Sequence, residues 1–199
     1  MTELWEKENS IRAEGFAVIC GVDEAGRGPL AGPVCAAAVI LPQNAEIPWL
    51  NDSKKLSEKR REEVFDEIAD CAVSFGVAFA SVEEIEKFNI LNATFMAMNR
   101  AIAELEPVPE LAIIDGNAAA GVKFPNRTII KGDGCCASIA AASVLAKVTR
   151  DRYMYDMDAL YPEYGFAKHK GYGTAAHYEA LRKYGPSPIH RMSFLRKMH

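Results

Sequence analysis

Residues 17–41 read AVICGVDEAGRGPLAGPVCAAAVIL, and this stretch decides the fold. Two apolar runs, AVICGVD at 17–23 and VCAAAVIL at 34–41, flank GRGPLAGP at 26–33. Each run is nearly continuous in apolar residues, the pattern of strands covered on both faces. The Gly/Pro-rich link leaves no room for a helix, so the chain opens with a β-loop-β unit, expected to be antiparallel. The first run stops in acids, Asp23-Glu24, where a carboxylate is costly to bury without a cation.

Outward from there, Ser57 is an N-cap candidate for a helix over 58–71, with Val64, Phe65 and Ile68 on one face. Residues 73–81 (VSFGVAFAS) alternate as a third strand. Residues 89–105 repeat Leu91, Phe95, Met98 and Ile102 at helical steps, and 111–115 (LAIID) and 127–130 (RTII) read as two more strands. An alanine-rich helix follows at 138–154 and another at 174–184. The order ββ-α-β-α-β-β-α describes an α/β fold: a mixed sheet of about five strands flanked by helices, with a helical C-terminal extension. Nothing divides residues 1–199 into separate domains; the core is expected over about 15–160 and the extension over about 161–199.

The 199 residues are 49% hydrophobic and 25% charged, which excludes collagen-like, fibrous and disordered classes. There is no 18-residue apolar run, so a membrane span is not expected. The first 14 residues are polar and acidic, unlike a signal or transit peptide, and five cysteines without a CxxC spacing suit a reducing compartment, so a cytoplasmic location is expected. The formal net charge of −4 hides an asymmetry. Residues 1–122 carry 10 Lys and Arg against 21 Asp and Glu, whereas residues 123–199 carry 13 against 6, together with all four histidines. An acidic body with a basic last third points to a polyanion held at one face.

Three acidic positions stand where apolar runs stop: Asp23-Glu24, Asp115 and Asp133. Any one alone reads as a solvated loop acid. The set suits hard-oxygen coordination of Mg²⁺ or Mn²⁺. Adjacent strand residues face opposite ways, so the strand is expected to end or twist at Glu24 if both acids serve one pocket. Gly26-x-Gly28-x-x-Ala31 imitates a dinucleotide fingerprint, but no helix opens at the loop and the context fails. What remains is a loop able to approach a ligand closely, with Arg27 ready for an anion. Lys54, in DSKKLS at 52–57, is a phosphate-contact candidate before a helix start. KHKGYG at 168–173 mixes cations, His169 and Tyr172 between glycines, a composition suited to a sugar-phosphate backbone. His190 and Arg191 follow in PSPIHRMSF at 186–194.

These segments, GVDEAGRGPLAGP, DSKKLS, IDG, KGD, SIAAASVLAKVTRDR, KHKGYGT and IHRMSF, resemble those of ribonuclease HII, the type 2 ribonuclease H family, in family order over almost the whole chain. The resemblance implies a ribonuclease H-like fold and an endonuclease acting on RNA/DNA hybrids and on duplex DNA with embedded ribonucleotides, as in ribonucleotide excision repair. It implies two divalent ions, Mg²⁺ or Mn²⁺, on Asp23, Glu24, Asp115 and Asp133, and 5′-phosphate and 3′-hydroxyl products. By the same resemblance, Gly26-Arg27-Gly28 would read the 2′-hydroxyl and Tyr172 would pack on the next sugar. Asp151 belongs to a family block outside the metal set, and is expected to orient a helix or a neighbour. Gly134-Cys135-Cys136 departs from the polar residues expected after KGD. The expected state is a monomer, with no protein partner evident from sequence.

Overall fold

The apolar runs become a five-stranded sheet in the order 74–80, 34–40, 19–25, 111–115, 126–129. The structure, a computed structural model, describes residues 3–50 and 56–196. Helix α1 is Glu3–Arg12, β1 Ile19–Ala25, β2 Val34–Ile40, α2 Glu58–Cys71, β3 Ser74–Ala80, α3 Val82–Ala103, β4 Leu111–Asp115 and β5 Asn126–Ile129. A 3₁₀ turn at Gly132–Gly134 leads into α4 (Ala137–Leu160), followed by α5 (Phe166–His169), α6 (Ala175–Tyr184) and α7 (Met192–Leu195). β1 pairs antiparallel with β2 and parallel with β4, and β4 runs parallel to β5, so the sheet is mixed as expected.

Both sheet faces are covered, which is why β2 needs no polar position and is buried throughout. On one face α3 packs Ala97, Met98 and Ile102 against Val22, Ala36 and Ile114. On the other, α4 packs Ala140, Ala141 and Leu145 against Ala37 and Val39, with Val64 and Ile68 of α2 alongside. Small residues let the α4 backbone come close. At Gly21 the fit leaves no space for a side chain, because a methyl group there would stand 2.1 Å from the Ser138 carbonyl carbon.

Helix α3 begins earlier than its apolar repeat. Ser81 and Glu84 form a capping box at its start, and the helix breaks at Asn89 (φ 67°). The Asn89 carboxamide then accepts from the Asn92 N–H at 3.1 Å and restarts it. The repeat from residue 89 therefore marks the second half, the part packed on the sheet. Helix α4 continues to Leu160 rather than ending near 154.

Helix α1 has no strong sequence signal, yet it buries Leu4, Trp5, Glu8 and Ile11. Glu8 is fully buried, accepts from the Ser138 N–H (3.1 Å) and hydroxyl (2.9 Å), and pairs with Arg12 at 3.2 Å. A carboxylate there satisfies a free amide of α4's first turn and meets the positive end of its dipole. No helix among the described residues is long and apolar enough to cross a membrane.

The extension after α4 has its own small core of Leu30, Met154, Tyr164, Phe166 and Leu181. His177 and His190 lie buried beside it. Burial, and then the neighbouring His177, push the His190 imidazole down to about 4. Between that value and an unfolded pKa of about 6.5 the unfolded chain binds more protons. Stability contributed by His190 is therefore whole above about pH 6.5, declines as pH falls through that value and levels off below about 4. Urea unfolding from about pH 7.5 to about pH 4.5 should show a steeper loss for the native chain than for His190→Asn, which cancels the carboxylate slopes common to both; parallel curves would refute it.

Candidate active site

The register of two parallel strands sets the acidic end of the sheet. Gly21 pairs with Ile113 and Val22 with Ile114, so the next residues, Asp23 and Asp115, come side by side. Parallel neighbours lie about 4.8 Å apart, close enough for their carboxylates to influence each other. Asp23 is only 6% exposed. Its carboxyl is pushed up to about 8, first by burial, then by Glu24, and further by Asp115; a hydrogen bond from Ser143 of α4 and the Glu24 N–H (2.8 Å) offset this only in part.

Of the two alternatives expected at Glu24, an end or a twist, the strand does not end there. It runs through Ala25, with Glu24 opposite Ala36 of β2. Asp23 is hydrogen-bonded by Ser143 of α4, and Glu24 lines the cleft that Ser143 and Lys147 of the same helix also face, so both acids reach one site although the strand continues. Burial raises the Glu24 pKa, with Arg27 at 3.2 Å opposing it and Asp115 reinforcing it. Asp115 thus couples to both acids. Its Oδ1 accepts from the Gly132 N–H at 2.7 Å, which fastens the 3₁₀ turn carrying buried Asp133 to the end of β4.

Beside these acids a cleft of about 380 Å³ is lined by Glu24, Gly26, Arg27, Gly28, Arg61, Ser143, Lys147 and Tyr172. Half-exposed Tyr172 lies over Gly28, where an added methyl group would meet its ring at 3.6 Å. The structure thus gathers Glu24, Gly26, Arg27, Gly28 and Tyr172 around one cleft, beside Asp23. Lys54 lies outside the described residues.

The loop is held from beneath by two buried guanidiniums. Arg150 donates to the carbonyls of Pro33, Ala31 and Lys170 at 3.0–3.1 Å. Arg191 donates to those of Gly26, Arg27 and Gly32 at 2.6–3.0 Å. Gly26 has φ 96°, and a side chain there would collide with Arg150 at 2.0 Å. Burial and then Arg150 pull the Arg191 pKa down to about 9, so it remains charged at neutral pH. Arg61, Ser143, Lys147 and Arg150 escape sequence reading, because α2 and α4 bring them to the cleft only on folding. One local signal was available: Lys147 and Asp151 are four apart on α4, and they pair at 2.6 Å, with Arg61 3.9 Å from the same carboxylate. Cys135 and Cys136 are free, and burial raises the Cys136 thiol, as for structural cysteines.

The donor set fits a divalent cation. Its oxygens are hard, and Asp23 is a desolvated acid among like charges. Among the described residues no three His, Cys, Asp or Glu side chains stand grouped closely enough to hold an ion by themselves.

A protein-family model described as Ribonuclease HII matches residues 20–197. The Ribonuclease HII of Acetivibrio thermocellus is 54% identical over 191 residues, covering 96% of this chain and 74% of that one. Among solved structures, the ribonuclease H2 of Pyrococcus horikoshii superposes with a TM-score of 0.75 at 27% identity, covering 91% of this chain and 96% of that one. The PCNA:RNase HII complex of Archaeoglobus fulgidus matches with a TM-score of 0.70 at 25% identity, covering 88% and 93%.

The Arg191 fork is open to test. Arg191→Met keeps the bulk but strands three carbonyls, each worth about 1–3 kcal/mol when left unpaired. The variant should lose about 3 kcal/mol or more in urea unfolding, and amide exchange should rise at 26–33 before it rises in β1. Unchanged exchange in that loop would remove Arg191 from the role of holding it.

Proposed function

The chain belongs to the ribonuclease HII family, and from that premise we propose that it is an endonuclease hydrolysing the RNA strand of RNA/DNA hybrids and incising duplex DNA at embedded ribonucleotides. The observation that carries this reading is the pairing of an acidic sheet end, where burial and neighbouring acids hold Asp23 up to about 8, with the cleft formed by Gly26–Gly28 and Tyr172.

In this proposal Asp23, Glu24, Asp115 and Asp133 hold two divalent ions, Mg²⁺ or Mn²⁺. Such ions, when bound, make hydroxide available near neutral pH and neutralise the leaving 3′-oxygen, giving 5′-phosphate and 3′-hydroxyl ends. The chain's own groups do the rest. Asp23 gives up its carboxyl proton for the ligand set to form, so binding is linked to proton release. Gly132, by donating to Asp115, holds one carboxylate oxygen in place.

Recognition would divide between backbone and ring. The 2′-hydroxyl is the handle that separates a ribonucleotide from its DNA neighbours. Gly26-Arg27-Gly28 presents backbone to it at close range, since neither glycine carries a side chain of its own. Tyr172, packed over Gly28, would press on the adjoining deoxyribose, where a second 2′-hydroxyl would crowd it. Arg61 and Lys147 line the same cleft and would draw in the phosphates, with Lys54 a further phosphate contact. The protein is proposed to act as a cytoplasmic monomer. PCNA binding belongs to the Archaeoglobus protein.

A DNA duplex with one ribonucleotide, incubated with Mg²⁺ and resolved on a denaturing gel, tests the reading. The native chain should nick at the ribonucleotide. Asp115→Asn should abolish nicking while hybrid binding survives, and Tyr172→Ala should slow it about tenfold, equivalent to about 1.4 kcal/mol. Binding without any cleavage by the native chain would make it a non-catalytic nucleic-acid module and sink the proposal.

A further inference from the structure

Three histidines of the C-terminal extension take no part in the chemistry above, yet their ring nitrogens are all engaged. The Ser187 N–H donates to His190 Nδ1 at 2.8 Å, and the Ser187 hydroxyl meets the same nitrogen at 2.8 Å. His190 Nε2 lies 3.0 Å from His177 Nε2, and His177 Nδ1 lies 2.9 Å from the Tyr172 carbonyl.

One fixed donor sets the direction of this whole chain. A backbone N–H can only donate, so His190 Nδ1 is the acceptor and its proton sits on Nε2. That proton points at His177 Nε2, which must therefore be bare, leaving the His177 proton on Nδ1 to be given to the Tyr172 carbonyl. A carbonyl can only accept, so both ends agree. Backbone groups fix His169 independently: the Gly171 N–H donates to its Nδ1 at 3.2 Å, and its Nε2 donates to the Tyr164 carbonyl at 2.9 Å.

An extra proton has no place in the chain. On His190 it would face the Ser187 N–H, and on His177 it would face another N–H across 3.0 Å. The groups packed around are the phenol of Tyr164, the ring of Phe166 and His169, stacked 4.4 Å from His177. His177 and His190 are 0% and 2% exposed, so water does not substitute for a lost partner.

We infer that Ser187, His190 and His177 form a one-directional hydrogen-bond relay that fixes the Tyr172 backbone and thereby sets its ring over Gly28, making both histidines positioning residues for selecting ribonucleotide junctions. The inference rests on the role proposed for Tyr172. The backbone around that residue needs such restraint, because Lys170 (φ 51°) and Gly171 (φ 84°) both lie in the left-handed region just before it.

Two shape variants separate positioning from bulk. In His177→Asn the amide nitrogen occupies the Nδ1 position and still donates to the Tyr172 carbonyl, while contact with His190 is lost. In His177→Gln the amide reaches the Nε2 position, meeting His190 but giving nothing to Tyr172. The readout is the ratio of nicking at a single ribonucleotide in duplex DNA to cleavage of a uniform RNA/DNA hybrid. His177→Gln should lower the ratio roughly tenfold and His177→Asn should keep it within about twofold. Equal ratios for the two variants, beside a Tyr172→Ala control that lowers it, overturn the relay alone. A Tyr172→Ala control with an unchanged ratio overturns the junction reading together with the relay. Ring-nitrogen NMR of the native chain needs no variant to fold: it should find the proton of His177 on Nδ1 and that of His190 on Nε2, and the opposite tautomers would overturn the proposal.

Discussion

Everything at the acidic end depends on the register between β1 and β4. Parallel pairing of Gly21 with Ile113 and of Val22 with Ile114 makes Asp23 and Asp115 neighbours. A shift by one residue would turn one acid to the opposite face of the sheet. The register is pinned by burial on both sides, since Val22 and Ile114 belong under α3 while Ile19 and Ile113 belong under α1 and α4. Hydrophobic packing thus places two carboxyl groups together at a largely buried sheet end, a cost that no purely structural role would require.

The loop lining the cleft is built by a different force. The segment between β1 and β2 buries Leu30 and Ala31 in the small core of the extension, but its turning backbone leaves carbonyls that are collected by Arg150 from α4 and Arg191 from the C-terminal segment. Two buried cations near one another repel and are expensive to desolvate. They persist because each guanidinium spends its fork on three carbonyl oxygens. The C-terminal extension therefore shapes the site twice, once by supplying Tyr172 and once by holding the loop opposite it.

The fold was largely legible because strands covered on both faces have to be apolar throughout, as in residues 34–40, and because the helix of residues 137–160 has to be small on its inner side. The acids were legible for the same reason, as carboxylates ending apolar runs. Three things were not. The start of α3 escaped because its first turns are polar and the break at Asn89 hides them from the apolar repeat. The continuation of β1 through Glu24 escaped because alternation argued for a strand end or a twist there, whereas β2 keeps pairing to Cys35. The guanidinium holds and the histidine relay escaped because they join residues up to 165 positions apart, and no local pattern records such pairings.

Helix α1 lies ahead of the segment matched by the family model, yet Glu8 sits fully buried against the first turn of α4, directly after the turn carrying Asp133. The unit that must unfold together includes the ten residues of α1, because their withdrawal would leave an amide and a hydroxyl of Ser138 without partners inside the protein. The acidic end of the sheet thus draws part of its rigidity from a peripheral helix that contributes no residue to the cleft.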